Sequence, residues 1–246
     1  MFLDSDDWLE LVTVEYCLNK IKEYSVQIVE FKHRYVYNDS VATINLNDRD
    51  VYSIYENKDI LQYYMQSTTD GSGSYSVCTC LFSKDLLEGL FFREGKINED
   101  IDFKYKVLTR CKKQVVSNHS LYNYFQPGTS LSVGGLKRKD FDIYESAQML
   151  LDLSLDENYG SIKYLAKVKY ARNSLSLLCK IAMYGISDSS IKKVQVIEDL
   201  TRKLRKDFKF LLMSPIPLSR KLLTIAFCIN YKVVEIPLTI YKKIKK

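Results

Sequence analysis

The amino-acid sequence predicts a mixed α/β part, residues 1–140, followed by an all-helical part, residues 141–246. Three observations carry this. Before Lys139, short apolar runs rich in β-branched and aromatic residues alternate with helix-period segments; after it, apolar residues recur at helical spacing throughout. The charge changes sign along the chain: residues 1–100 hold 9 Lys and Arg against 18 Asp and Glu, and residues 101–246 hold 27 against 12. With 46% apolar and 27% charged residues, four Pro and nine Gly, the composition excludes wholesale disorder, collagen and a polytopic membrane protein.

Residues 1–3 read as the end of a buried strand. Asp7 is placed to cap a helix from Trp8, on which Leu11, Val14, Leu18 and Ile21 recur at helical spacing. Val26 to Phe31 reads as a strand that His33 to Tyr37 extend, and Asn45 to Asp50 as a polar turn. Ile60, Leu61 and Tyr64 mark a second helix, and Asp70 to Ser74 a Gly/Ser loop. Ser76 to Phe82 is a candidate strand, followed by a short helix through Leu87. Residues 91–100 form a loop that ends at a helix start, and Phe103, Val107, Leu108 and Cys111 share one face of that helix. A strand runs from Val115-Val116 to Tyr122-Asn123-Tyr124. Pro127-Gly128 and Gly134-Gly135 bracket a loop. Helices follow over 141–153, 162–184 and 191–212; in the last, Val194, Ile197, Leu204, Phe208 and Leu211 mark the apolar side. Ser214-Pro215-Ile216-Pro217 breaks it.

The strongest local signal is Phe2-Leu3-Asp4-Ser5-Asp6-Asp7-Trp8. Three carboxylates within four residues repel one another unless a positive charge sits among them. A hard divalent cation suits such oxygen donors; the alternative is a solvated helix start with Asp7 as its cap. A calcium loop counted from Asp4 fails, because its sixth position is Leu9 rather than Gly. An aspartyl-phosphatase reading fails at Trp8, where a small residue belongs. The second signal is Glu99-Asp100 at a helix N-terminus, where the helix dipole favours an ionised carboxylate able to act as a base. A plain acidic helix start is the competing reading.

FLDSDDW, then EGKINEDIDF about ninety residues on, then LYNYF, together resemble the GT-A-type family 2 glycosyltransferases of bacteria. The resemblance covers most of residues 1 to about 185. It implies a GT-A-like α/β fold and an inverting transfer of a sugar from a nucleotide-sugar donor to a glycan or lipid-linked acceptor, in cell-surface polysaccharide synthesis. It assigns Asp4 and Asp6 to the D-x-D that holds Mn²⁺ or Mg²⁺ on the diphosphate, Asp6 as the direct ligand and Asp4 nearer the nucleotide. It assigns Asp100 as the base, with Glu99 supporting it or holding the acceptor. Tyr122 and Tyr124 are the candidates for acceptor contact.

Two departures from that pattern stand out. Where the family commonly reads Asn-Lys-Leu-Tyr, this chain reads Thr79-Cys80-Leu81-Phe82, so a cation near the substrate is missing. The chain also begins inside the D-x-D strand, without the family's preceding βαβ units. That start leads to the expectation of an N-terminally truncated domain, or one half of a split enzyme that needs a separate N-terminal half. The alternative function is a non-catalytic, membrane-peripheral or partner-binding remnant of such an enzyme.

The stretch 201–246 holds 12 basic residues and 2 acidic ones, interleaved with Leu, Ile, Phe and Tyr. It is expected either to lie on the anionic inner leaflet of the cytoplasmic membrane or to form a soluble helical subdomain with a basic face. No nucleic-acid module is recognisable. Leu222 to Tyr241 contains Lys232, Glu235 and Pro237, so no spanning helix is expected. The six cysteines lie in or beside apolar runs, or in the weak metal pattern Cys78-x-Cys80, and read as reduced thiols of a cytoplasmic protein. His119 is expected to be a hydrogen-bonded structural histidine.

Overall fold

The computed structural model describes residues 1–37, 50–126, 134–155 and 159–244, with side chains through residue 240. The polar turn expected over 45–49 and the Pro127-Gly128 loop lie outside these. Two compact units emerge. The first is Met1–Thr68 with Gly73–Glu94 and Glu99–Ser130; the second is Leu131–Lys246 with the short pieces Thr69–Ser72 and Gly95–Asn98.

The first unit is built on β5 (Lys113–Phe125). Its Val115, Leu121 and Tyr122 are buried, beside the exposed Asn118, as a strand against a core requires. On one edge β5 pairs in parallel with β2 (Ile28–Val36), whose other edge takes β4 (Cys80–Phe82) antiparallel. Two short strands pair antiparallel with β5, namely β3 (Tyr52–Glu56) at its start and β1 (Trp8–Leu9) near its end. Three helices belong here: α1 (Thr13–Tyr24), α2 (Lys58–Asp70, its last two residues in the other unit) and α3 (Asp100–Arg110). Ile28, Val29, Ile60, Met65, Val107, Leu108 and Val115 form the buried interior.

The opening segment departs from its expected structure. Residues 1–3 are not a strand, and Leu3 is exposed. The helix begins at Thr13, because Trp8 and Leu9 pair with Asn123 and Tyr122 on β5. Its buried face is Thr13, Tyr16, Cys17 and Lys20, whereas Leu11, Val14 and Leu18 are exposed. Polar contacts decide that face. Thr13 donates its hydroxyl to the Leu121 carbonyl, and the Tyr16 hydroxyl donates to Asp50 and lies 2.8 Å from the Ser117 hydroxyl.

The second unit is helical: α4 (Asp142–Leu153), α5 (Gly160–Tyr184), α6 (Lys193–Lys206), α7 (Phe208–Met213), α8 (Leu218–Ile229) and α9 (Lys232–Ile244). The long α5 contributes Val168, Leu175, Leu178 and Ile181 to the core, joined by Leu200 and Leu204 of α6, Leu211 of α7 and Phe227 of α8. It has little amphipathic bias because neighbours cover most of its circumference. The helix expected over 191–212 is interrupted at Asp207, and Val194, expected on its apolar side, is exposed. Among the described residues no single helix is long and apolar enough to cross a membrane, although α8 with the start of α9 passes by length and composition as a bent pair. All six cysteines are free thiols.

A buried ion pair joins α3 to the sheet. The Lys104 ammonium, 0% exposed, lies 3.0 Å from the Glu30 carboxylate of β2 and donates to the carbonyls of Ser74 (3.0 Å) and Ser76 (3.3 Å). Removing one partner strands a buried charge. Lys104→Met is therefore expected to lower the unfolding free energy by about 3–5 kcal/mol, read by urea denaturation. Adding Glu30→Leu should restore most of it; equal loss in the single and double variants would contradict this reading.

Candidate active site

The acidic opening turn, the start of α3, the turn before β4 and the end of β5 meet in the first unit. The turn over Asp4 to Asp7 is closed by the Asp7 N–H donating to the Asp4 carbonyl (3.2 Å). Phe2 pins it down by packing edge-on against Phe82, Phe92 and Phe103 at 5.2–6.3 Å. Since Phe103 stands one turn into α3, this cluster brings Asp4 towards Glu99 and Asp100.

Asp7 is not a helix cap. It is buried, accepting from the Tyr122 hydroxyl (2.6 Å) and from the Phe125 N–H (2.8 Å). The same Tyr122 hydroxyl accepts from the Asp4 N–H (3.3 Å). Tyr122 is 2% exposed, so the ring expected to face an acceptor instead lies beneath the acidic turn and supports it. Tyr124 is half-buried in a small aromatic group with Tyr35 (5.6 Å) and His33 (6.2 Å), and Tyr35 is exposed.

Asp4 and Asp6 reach solvent, and Glu99 and Asp100 are half-buried. Among the described residues, none of the four forms an ion pair with a Lys or Arg. Partial burial raises the Asp4 pKa above the ordinary carboxylate value, and Asp7, Asp6 and Glu99 add to the shift by repulsion. The Asp100 pKa is pushed up to about 6, first by burial and then by Glu99, with Asp4 adding to it; the Val77 N–H and the Lys104 charge oppose the rise. Asp4 and Asp100 thus sense each other's charge, and Asp6 acts on Asp4.

One turn of chain bridges the two carboxylates. The Cys78 thiol is near enough to Asp4 to offset part of the rise in its pKa, and the Val77 N–H points at Asp100 Oδ2 (3.4 Å). The Ser74 and Ser76 carbonyls that Lys104 holds lie just before them. Sequence reasoning missed this bridge. In the sequence Cys78-x-Cys80 carries only a weak metal pattern, and Lys104 sits beside Phe103 on an apolar helix face with nothing local to mark it. The cation absent at position 80 has a counterpart, because the Lys104 side chain reaches Cys80 from α3.

The donor set suits a hard divalent cation, with carboxylate oxygens crowded together without a counter-charge. Among the described residues no three His, Cys, Asp or Glu side chains form a metal cage. His119 is buried, its Nε2 3.3 Å from Asp50 Oδ1 and its ring edge-on to Tyr16, and plays a structural part.

No protein-family model matches the sequence. The chain is 26% identical over 225 residues to the glycosyltransferase GlyA of Streptococcus pneumoniae; the match covers 87% of this chain and 32% of that protein. The chain thus spans about a third of its curated relative. Among solved structures, Staphylococcus aureus TarS 1–349 in complex with UDP-GlcNAc matches with a TM-score of 0.54 at 16% identity, covering 99% of this chain and 67% of that one. TarS 1–349 without ligand matches with a TM-score of 0.52 at 17% identity, covering 99% and 66%. The resemblance read from the motifs is borne out, and the fold is the expected GT-A-like α/β part with a helical C-terminal region.

The raised Asp100 pKa makes a stability prediction. Both folded and unfolded forms are protonated below about pH 4. Above about pH 6 the folded chain carries a charge that the unfolded chain bears more easily, so stability falls as pH rises between those values. Asp100→Asn keeps an acceptor for Val77 and removes the charge. Its Tm is expected to exceed the parent's by roughly 3–6 °C at pH 8, with no difference near pH 4, by thermal melts across pH. A gain that is the same at both ends would contradict it.

Proposed function

We propose that this chain carries the catalytic-base and D-x-D side of an inverting glycosyltransferase centre, transferring a sugar from a nucleotide-sugar donor to a hydroxyl of a glycan or lipid-linked acceptor. The observation that supports it most is the convergence of Asp4 with Glu99 and Asp100 around the Val77-Cys78 turn. The similarity to GlyA and the fold shared with TarS in its UDP-GlcNAc complex favour the same reading.

In this reading Asp100, ionised above about pH 6, takes the proton of the acceptor hydroxyl. The hydroxyl oxygen bonds to the anomeric carbon as the bond from that carbon to the diphosphate oxygen breaks, and attack from the opposite face inverts the carbon. Glu99 raises the basicity of Asp100 by repulsion and orients the acceptor. Asp6, with Asp4 beside it, would hold Mn²⁺ or Mg²⁺, which when bound neutralises charge on the leaving diphosphate. Asp7 and Tyr122 fix the acidic turn from below. Tyr124, with Tyr35, offers ring faces to the acceptor.

The basic tail fits an acceptor held at a membrane surface. Leu218, Leu222, Ile225 and Ile229 of α8 and Val233, Ile236 and Ile240 of α9 are exposed and recur at helical spacing. Apolar stripes of this kind enter the lipid boundary while neighbouring Lys and Arg meet anionic headgroups. In this reading the protein works in the cytoplasm, peripheral to the inner leaflet, in assembly of a cell-surface polysaccharide.

Release of UDP from a UDP-sugar in the presence of Mn²⁺ tests the chemistry. Asp100→Asn is expected to lower the rate at least about 100-fold, Asp6→Ala to abolish it, and the parent rate to climb as pH rises through about 6. Parent-like rates in both variants would overturn the proposal. Flotation with vesicles tests the tail. Binding should require anionic lipid and be lost in Leu222→Asp with Ile229→Asp; binding indifferent to lipid charge would contradict it.

A further inference from the structure

We infer that the helical unit carries a second ligand site, an anion pocket for a phosphate ester. Helices α4, α5 and α6 and the start of α7 enclose a cavity of about 500 Å³. Lys167 of α5 and Lys203 and Lys206 of α6 line it, and Asp207 is the only acidic residue of the lining. Three ammonium groups against one carboxylate leave the cavity with a surplus positive charge.

Among the described residues, unpaired lysines are common on this unit, Lys163, Lys192 and Lys209 among them, and three others do have carboxylate partners; what sets Lys167, Lys203 and Lys206 apart is that they line one cavity. Lys96 pairs with Glu145, Lys180 with Asp140 and Lys193 with Glu235. Among the described residues no carboxylate forms an ion pair with Lys167, Lys203 or Lys206. Like charges drawn to one concavity without carboxylate partners raise the local concentration of anions, and an ammonium is a strong donor to phosphate oxygens.

The walls are set before any ligand arrives. The Lys203 ammonium lies over the Tyr144 ring, 4.7 Å from its centroid. That ring is fixed by a 2.7 Å hydrogen bond between its hydroxyl and Ser174, and Tyr170 packs edge-on against it at 5.9 Å. Tyr170 is partly exposed, and Phe210 completes an apolar wall beside the lysines. Lysines interleaved with rings match a ligand with a phosphate head and a carbon skeleton, such as a polyol or sugar phosphate. This site uses none of the carboxylates of the α/β unit.

The full chain is titrated by calorimetry in EDTA with pyrophosphate and with glycerol 3-phosphate, and tested for flotation with vesicles of equimolar phosphatidylcholine and phosphatidylglycerol. EDTA leaves the acidic turn without a cation to hold phosphate, so the outcome is independent of the proposed transferase centre. Saturable binding of the soluble phosphates, weakened at least about tenfold in Lys203→Ala with Lys206→Ala and likewise in Lys167→Glu, identifies a soluble phosphate ester. Tyr170→Ala should weaken glycerol 3-phosphate but spare pyrophosphate. Flotation that the same lysine variants abolish, without binding of soluble phosphate, assigns the pocket to a lipid headgroup. Phosphate binding and flotation both unaffected by these variants, or equally reduced by Lys192→Ala with Lys209→Ala outside the pocket, would overturn the inference.

Discussion

A single buried ammonium organises the acidic centre. Lys104 stands one turn after Asp100 on α3, and its charge is spent on Glu30 of the sheet and on two carbonyls of the turn before β4. Burying a charge is costly, and an apolar side chain of the same volume would fill the space more cheaply. An apolar residue would not fix direction. The three acceptors hold α3, β2 and the 74–76 turn in one mutual arrangement. Residues 77 and 78, which follow that turn, touch the two carboxylates of the centre. Asp100 therefore faces Asp4 because a lysine behind it is locked.

The same arrangement explains why these carboxylates are poised rather than quenched. Lys104 is close enough to lower the Asp100 pKa but is fully engaged elsewhere, so burial and Glu99 win and the group titrates near neutrality. Asp7 is taken out of the contest by Tyr122 and the Phe125 N–H. Carboxylates gathered without a Lys or Arg ion pair, with Asp4 and Asp100 raised, suit the proposed centre for a cation and a pyrophosphate.

Much of this was legible in the residues. The D-x-D and the Glu-Asp helix start were visible as motifs, and hydrophobic spacing located α2, α3, α5, β2 and β5. What escaped has physical causes. A two-residue strand such as β1 has no period to detect, so Asp7 looked like a cap. Leu11, Val14 and Leu18 share a helical spacing, but spacing identifies a stripe and not the side on which the core lies. Here Thr13, Tyr16 and Lys20 carry the polar bonds that set it. Lys104 and Tyr122 act through long-range partners at Glu30 and Asp7, which sequence separation hides. The break at Asp207 falls within a charged run where helix propensity gives no warning.

In the proposed centre, the acidic turn and the start of α3 together hold a cation-bridged nucleoside diphosphate. Titration of the chain with Mn²⁺, followed by electron paramagnetic resonance with and without UDP, tests it most directly. Mn²⁺ alone should bind weakly, UDP should tighten its binding markedly, and that gain should be lost in Asp6→Ala but not in a surface change such as Asp85→Ala. Mn²⁺ binding indifferent to UDP, or unchanged by Asp6→Ala, would contradict it.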